Sequence, residues 1–391
     1  MQGFTNLQFY KLKWRHWVLI ALLLLVTLFK MIPQWSITYT YYIYPCIGTV
    51  LSHISGIFPF AIGDLFVALS IAWVILYPIY QIFIKKKLKK RGIFGKVAEY
   101  LLWVYAWFYI AWGLNYSQPN IFSRMKMMPA KVSEKTLRDF ANRYVDSLNH
   151  LSEECRVKSE ETTFGGRRES QFNSLKEVTR NEVLKGYNEI TSHHKKNMEK
   201  DRMGINVPFN QHPHVKTMIF SQFSSMAGVT GSMGPFFCEF TLNGDVRPHD
   251  YPSTYAHEFA HFLGVANEGE ANFYSYIICT HSTDKTVRFS GYYHIFFHVL
   301  ANVYDILGEK EGEVLLKRVR PEIIALAKSD RQYWLGKRCK AIDAAQDFIF
   351  DLYLRGNNVK EGRKSYSGVI ALILSWEEKT ASVKKQVKSK H

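Results

Sequence analysis

The sequence predicts a mostly α (α+β) protein, with three N-terminal transmembrane helices followed by a helix-rich domain that holds a small β-sheet. Three observations predict it. Long apolar runs fill the first 116 residues, apolar positions recur at the 3.6-residue period through most of the remainder, and two β-like runs interrupt that pattern between residues 215 and 242. The composition agrees. A chain of 391 residues, 47% apolar and 21% charged, has room for a membrane module and one soluble domain, and it is neither a disordered chain, a small disulfide scaffold nor a collagen-like fibre.

The apolar runs are 17–32, 58–84 and 97–114, each near the length that spans a bilayer when interfacial aromatics stand at the ends. The net charge of +16 is unevenly spread, because residues 1–96 carry eleven Lys/Arg against one acid, Asp64. That excess flanks apolar runs rather than decorating a folded surface, so the lipid bilayer is the expected partner and nucleic acid is not. Lys11, Lys13 and Arg15 precede the first run, residues 33–57 hold no Lys or Arg, and seven basic residues lie between Lys85 and Lys96. The positive-inside rule then puts the N-terminus in the cytoplasm and everything after Asn115 on the outer, periplasmic side of the inner membrane. The tyrosines of 33–57 suggest an interfacial segment, and Asp64 a structural or interfacial acid rather than an ion carrier.

The expected divisions are a membrane module at 1–116, a soluble domain at 117–380 and a basic disordered tail at 381–391. Ser133 caps a helix whose Leu137, Phe140, Ala141, Tyr144, Leu148 and Leu151 keep the helical period. An exposed loop (157–170) and a charged helix to about Met198 follow. Runs 215–220 and 236–242 read as strands, separated by the turn-rich AGVTGSMGP. Helices are expected at 288–307, 312–327, 332–354 and 366–376. The glycines of AGVTGSMG lack the Lys-Ser/Thr of a phosphate loop, and no GxSxG elbow occurs. Five cysteines have no CxxC spacing, and sequence cannot pair them.

Chemistry concentrates in YPSTYAHEFAHFLGVANEGEANFYSY, from Tyr251. Pro252, Ser253 and Thr254 start a helix, Ala256, Phe259, Ala260 and Leu263 form its buried stripe, and Gly264 stops it. His257 and His261, one turn apart, can both reach a Zn²⁺, whose bound water is acidified; Glu258, beside the first histidine, is the candidate catalytic residue, a general base for attack on a carbonyl. A third ligand is needed. Position 267, where HExxHxxGxxH would place histidine, is Asn267. Glu268 follows, with Asn272 one turn further on the same face, which suits a carboxylate ligand and an amide that orients a ligand histidine. Glu270, about 160° around an ideal helix, is the alternative ligand. Tyr292, Tyr293 and His294 lie where an oxyanion stabiliser is expected. His294 and His298 repeat the i, i+4 spacing with no carboxylate beside them, a pattern of packing. His212 and His214 are loop residues. Strand 236–242 is a candidate edge for pairing an extended peptide.

HEFAH with its downstream glutamate resembles the zincin metallopeptidases, and E-x-E-A-N resembles their glutamate-ligand branch. More closely, the multi-span N-terminus, WGLNYSQP, YPSTYAHEFAHFLG…EGEANF and the late SYSGVIALIL resemble an uncharacterised family of bacterial membrane proteins known only as a domain of unknown function. The resemblance implies a membrane-anchored zincin-like fold and names no substrate. The interval from His261 to Glu268 is shorter than in the better-known branch, and Asn272 stands where Asp is commoner. The expected activity is a membrane-anchored zinc metallopeptidase acting on a peptide or protein. The rival expectations are a zincin-like binding or scaffolding module without turnover, and a zinc hydrolase of a non-peptide amide or ester.

Overall fold

The apolar N-terminal runs fold as helices. In the computed structural model, which describes residues 13–86, 90–157, 169–192, 203–211, 213–342 and 368–388, α1 (Trp14–Met31) leads into α2 (Pro33–Thr38), a π turn (Tyr39–Ile43) and α3 (Tyr44–Gly56). Then come α4 (Ile62–Ile79), prolonged by a π turn to Ile84, and α5 (Lys90–Ala111) with a 3₁₀ turn at Gly113–Ser117. Among the described residues two helices, not three, are long and apolar enough to cross a membrane: Trp14–Met31 and Ile62–Ile84. The expected third run falls on α5 and the 3₁₀ turn. Its apolarity is diluted by Lys96 and Glu99 and by Trp and Tyr side chains of slight hydropathy. The three long helices nonetheless lie side by side. Arg15 pairs with Glu99 at 2.8 Å, Lys30 reaches the Tyr109 hydroxyl at 3.1 Å, and Ser70 meets Tyr100 at 2.7 Å. Leu24, Leu69, Leu76 and Leu101 face outward from this group.

The expected interfacial segment is helical from Pro33 to Gly56, and α3 packs on the rest of the chain. Gly48 touches Phe209 and Cys238, where any side chain would collide. Lys216 joins the layers. Its ammonium donates to the Ser55 carbonyl at 2.7 Å and to Glu239 at 2.6 Å, while the other Glu239 oxygen accepts the Gly63 N–H at 2.5 Å. Both charges are buried, so this pairing answers the desolvation each would otherwise suffer. The hydrophobic core runs without a break across residue 116, from Tyr39 and Trp112 to Phe259 and Ile373.

The remaining elements are α6 (Ile121–Arg124), α7 (Glu134–Glu154), α8 (Glu169–Ser192), β1 (Lys216–Thr217), α9 (Ser221–Met226), β2 (Gly231–Gly234), β3 (Glu239–Leu242), α10 (Tyr251–Phe262), α11 (Glu268–Thr280), α12 (Lys285–His294), α13 (Phe296–Leu307), α14 (Glu309–Arg318), α15 (Pro321–Lys337) and α16 (Val369–Lys388). Ser133 caps α7 by accepting the Thr136 N–H, and the helix buries the apolar face its period describes. The expected helix 288–307 breaks at Ile295. The one at 312–327 breaks before Pro321, where Arg320 is extended because a following proline disfavours the α region. Residues 381–388 continue α16 instead of forming a loose tail. Most of the expected loop 157–170, residues 343–354 of one expected helix and 389–391 lie outside the described residues, as does His212. All five cysteines are free.

The sheet has the order β1–β3–β2, with β1 parallel and β2 antiparallel to β3. Strand β3, from the run expected as an edge, is therefore central. The edges are β1 and β2, the latter formed by the glycine-rich stretch expected as a turn. Beneath the sheet, Phe240 packs on Tyr255, Phe259 and Phe262, so α10 is buried along almost its whole length.

Candidate metal centre

Helix α10 ends in a way that builds the site. Gly264 adopts φ +94°, a conformation that glycine reaches without penalty, and the Gly264 and Val265 N–H groups close back on the His261 and Ala260 carbonyls. This return puts the Val265 carbonyl against the His261 ring, whose Nδ1 lies 2.6 Å away. A carbonyl only accepts, so His261 carries its proton on Nδ1 and leaves Nε2 bare. Four carbonyls at this helix end find donors from other segments. The Trp112 indole takes that of His261 at 3.0 Å, the Tyr44 hydroxyl Phe262 at 2.6 Å, Asn206 Leu263 at 2.9 Å and Gln118 Gly264 at 2.7 Å.

Asn267 caps α11 by accepting the Glu270 N–H at 3.0 Å, and this fixes the phase of the acids that follow. Glu268 faces the histidines. Glu270 faces away, accepting the Ile121 N–H and a buried ion pair from Arg124. Asn272 meets His257 Nδ1 with its Oδ1 at 2.8 Å, and the same oxygen lies 2.9 Å from His294 Nε2. Two ring N–H groups thus converge on one amide oxygen. His257, like His261, presents a bare Nε2.

The three remaining acceptors crowd one point. His257 Nε2 and His261 Nε2 are 3.0 Å apart, and Glu268 Oε2 lies 3.1 Å and 3.5 Å from them. Ligands of a tetrahedral zinc with bonds of about 2.0–2.1 Å are about 3.3 Å apart, so the triangle matches one face of such a polyhedron. Lone pairs held this close repel unless a cation or proton lies among them. The same crowding appears in the proton affinities. Burial pulls His261 down, but Glu268 and then Glu258 overcome it and push the ring up to about 9. Burial raises Glu268, yet His261 and His257 hold its carboxyl well below the ordinary range. The residues present fit a divalent metal.

Glu258 is buried next to this triangle, and burial raises its pKa against the lowering influence of His257 and His261. Its carboxylate packs on Gly231 of β2, where even a methyl group would overlap it. The sequence gives no hint of that contact beyond the glycine itself. Trp112, Tyr44, Asn206 and Arg124 are equally unannounced, their partners lying far along the chain.

Of the candidate oxyanion residues, His294 stands behind His257, bonded to Asn272, and burial with the neighbouring His257 pushes it down to about 3, a neutral ring. Tyr293 donates to Asp330, and the Tyr292 ring packs against Tyr144 and Tyr276.

A second group of possible ligands among the described residues is His249, Asp250 and Asp330. There His249 Nε2 lies 2.9 Å from Asp330 and 3.4 Å from Asp250, and Arg247 and Tyr293 also donate to Asp330. The two carboxylates also lie within 4.8 Å of each other, but each hydrogen-bonding contact at Asp330 brings it a donor.

No curated protein and no solved structure matches the chain. Residues 39–374, which take in the helices from α3 onward and the whole candidate metal centre but not α1 or α2, match the family described as "Protein of unknown function (DUF3810)", and the chain belongs to that family.

Proposed function

We propose that the protein is a membrane-anchored zinc metallopeptidase. The observation that carries the reading is the convergence of His257 Nε2, His261 Nε2 and Glu268 Oε2 within 3.5 Å of one another beside the buried Glu258. A zinc ion held there would supply a Lewis acid and an acidified water. Val265 and Asn272 fix the two imidazoles in the tautomer that offers Nε2. Glu258, its proton affinity raised by burial, takes up the proton released when a carbonyl is attacked, and returns it to the leaving amine.

Strand β2 supports a peptide substrate. It pairs with β3 along one side, begins at the catalytic carboxylate and carries glycine at both ends, so a second backbone can approach its other side closely. The membrane reading is supported by the way the helices meet the domain. Gly63 at the start of α4 and Trp112 at the end of α5 both bond to the domain, whereas the basic residues 85–96 join the opposite ends of α4 and α5. If α4 crosses the bilayer, α5 must return across it, giving three spans, a cytoplasmic N-terminus and a domain on the outer side.

The test is Glu258→Gln in the full-length protein. The variant should keep stoichiometric zinc by elemental analysis and lose peptide hydrolysis by about 10²–10⁴-fold. Hydrolysis at the wild-type rate would remove Glu258 from the mechanism, and wild-type protein that binds no zinc would remove the metallopeptidase itself.

A further inference from the structure

Between Lys216 and Glu239 the chain holds no charged residue, and neither do residues 31–63. The fold brings these two stretches to one place. The charges that bound the first are spent on each other, since Lys216 and Glu239 pair in the interior, and the same two side chains bind Ser55 and Gly63 of the second. What remains is an uncharged rim at the end of the membrane helices where the domain sits.

Three contacts set its level. The Phe236 ring lies 4.8 Å from that of Phe66 in α4 and 6.2 Å from that of Phe108 in α5, and Phe237 lies 5.6 Å from Phe66. The Trp107 indole donates to the Phe236 carbonyl at 3.0 Å. Phe66 and Phe108 stand about one turn inside their helix ends, roughly 5 Å along the axis, so the β2–β3 turn is wedged at the depth where interfacial aromatics reside. Further along, the Ile219 N–H donates to Asp64 at 2.9 Å, which holds 219–223 level with the first turn of α4. On that segment Ile219, Phe220 and Phe223 are exposed, Phe223 by 63%, as are Ile57, Phe58 and Phe60 on the connection from α3 to α4. Apolar side chains displayed around the mouth of a membrane span, with charge excluded from both contributing segments, match the acyl and headgroup boundary rather than water.

The metal centre is one short strand away. Gly231 touches Glu258 and Gly234 opens the turn that meets Phe66, a run of four residues at about 3.3 Å each. We propose that residues 217–238, together with 57–60, form a lipid-contacting rim that sinks into the adjoining leaflet, and that the substrates are membrane-anchored polypeptides cut within a few residues of their lipid boundary. The substrate half of this proposal rests on the metallopeptidase reading; the lipid contact rests only on the membrane spans.

The experiment uses the full-length protein in vesicles of phosphatidylethanolamine and phosphatidylglycerol. Benzoylphenylalanine placed at Phe223 should form lipid adducts on illumination, about tenfold more than at Val314, which is exposed to a similar degree on α14; the ratio is of the order that burying one phenylalanine side chain confers. Equal yields at the two positions, or adducts only to protein, would overturn the rim. A randomised peptide library is then offered free in solution and fused to a single-span anchor in the same vesicles. The anchored form should be cut faster, by about tenfold or more, because confinement at the surface raises its effective concentration. The triple variant Ile219→Ser, Phe220→Ser, Phe223→Ser should lose that preference while keeping its zinc and its cleavage of the free library. Equal cutting of both libraries by wild type would overturn the substrate class. Lipid adducts without cleavage of either library would leave the rim standing and bring down the metallopeptidase reading.

Discussion

Two groups in this protein each gather three histidine and carboxylate side chains that could hold a metal, and they arrange them oppositely. At His249, Asp250 and Asp330 the charges are interleaved: an imidazole, a guanidinium and a phenol all point at Asp330. At His257, His261 and Glu268 the available protons are turned outward, to Asn272 and Val265, and three lone pairs are left facing inward. Residue types are almost the same in the two places. The direction of the donors separates a structural tie from a candidate cation site, and the partners that fix those directions, an amide oxygen and a main-chain carbonyl, make the difference.

The sharpest way to break this contrast is to truncate one imidazole in each group. His261→Ala should abolish zinc retention through purification, measured by elemental analysis, whereas His249→Ala should leave it stoichiometric. Zinc lost from the second variant alone would reverse the assignment. Next in size is Asp330→Ala, which strands Arg247 and His249 in the interior. It should lower stability by about 3–5 kcal/mol in chemical denaturation, with zinc content unchanged. A smaller effect is expected from Asn272→Ala, which frees the His257 ring to choose either tautomer. Zinc affinity should fall about 10–100-fold in a competition titration with a chelator.

The smallest effect is a pH dependence, and its sign follows from the pairing. Burial pulls His249 down, but Asp250 and Asp330 more than offset it and raise its pKa above 6.5. The imidazolium therefore stabilises the fold fully below that ordinary value, and the contribution is lost as pH rises through the elevated one. Asp330 runs the other way. Burial raises it, yet His249, Tyr293 and Arg247 depress it below 3.8, so its share is present above that value and is lost as pH falls through the depressed one. Melting temperatures of the wild type should decline on the alkaline side, and His249→Gln should flatten that limb. An unchanged slope in the variant would mean that another group titrates there.

Much of the candidate metal centre is legible in the sequence because it is local. His257 and His261 share a helical face by spacing, Gly264 marks the stop, and Glu268 rather than Glu270 faces them by phase, as the cap at Asn267 requires. What the sequence conceals is tertiary. The glycines near 231 suggest a turn because four-residue strands leave no period to detect, and only the folded chain shows that Gly231 makes room for Glu258. The role of His294 is hidden for the same reason, since its partner Asn272 lies on a different helix. The helix breaks at Ile295 and before Pro321 sit inside apolar patterns that continue across them. In the N-terminal part the outward apolar runs are plain, but the inward uses of Tyr44, Trp112 and Gln118 are not, because each serves a carbonyl more than a hundred residues distant in the chain.

Those three side chains, with Asn206, have a consequence for how the protein can be handled. A fragment beginning at residue 117 would lose the indole and the phenol that bond the last turn of α10, leaving the Phe262 oxygen without that donor and the His261 oxygen with the Gly264 N–H alone. The N-terminal helices are thus part of the chassis on which the candidate site is mounted, and not a leash from which an intact domain could be shed.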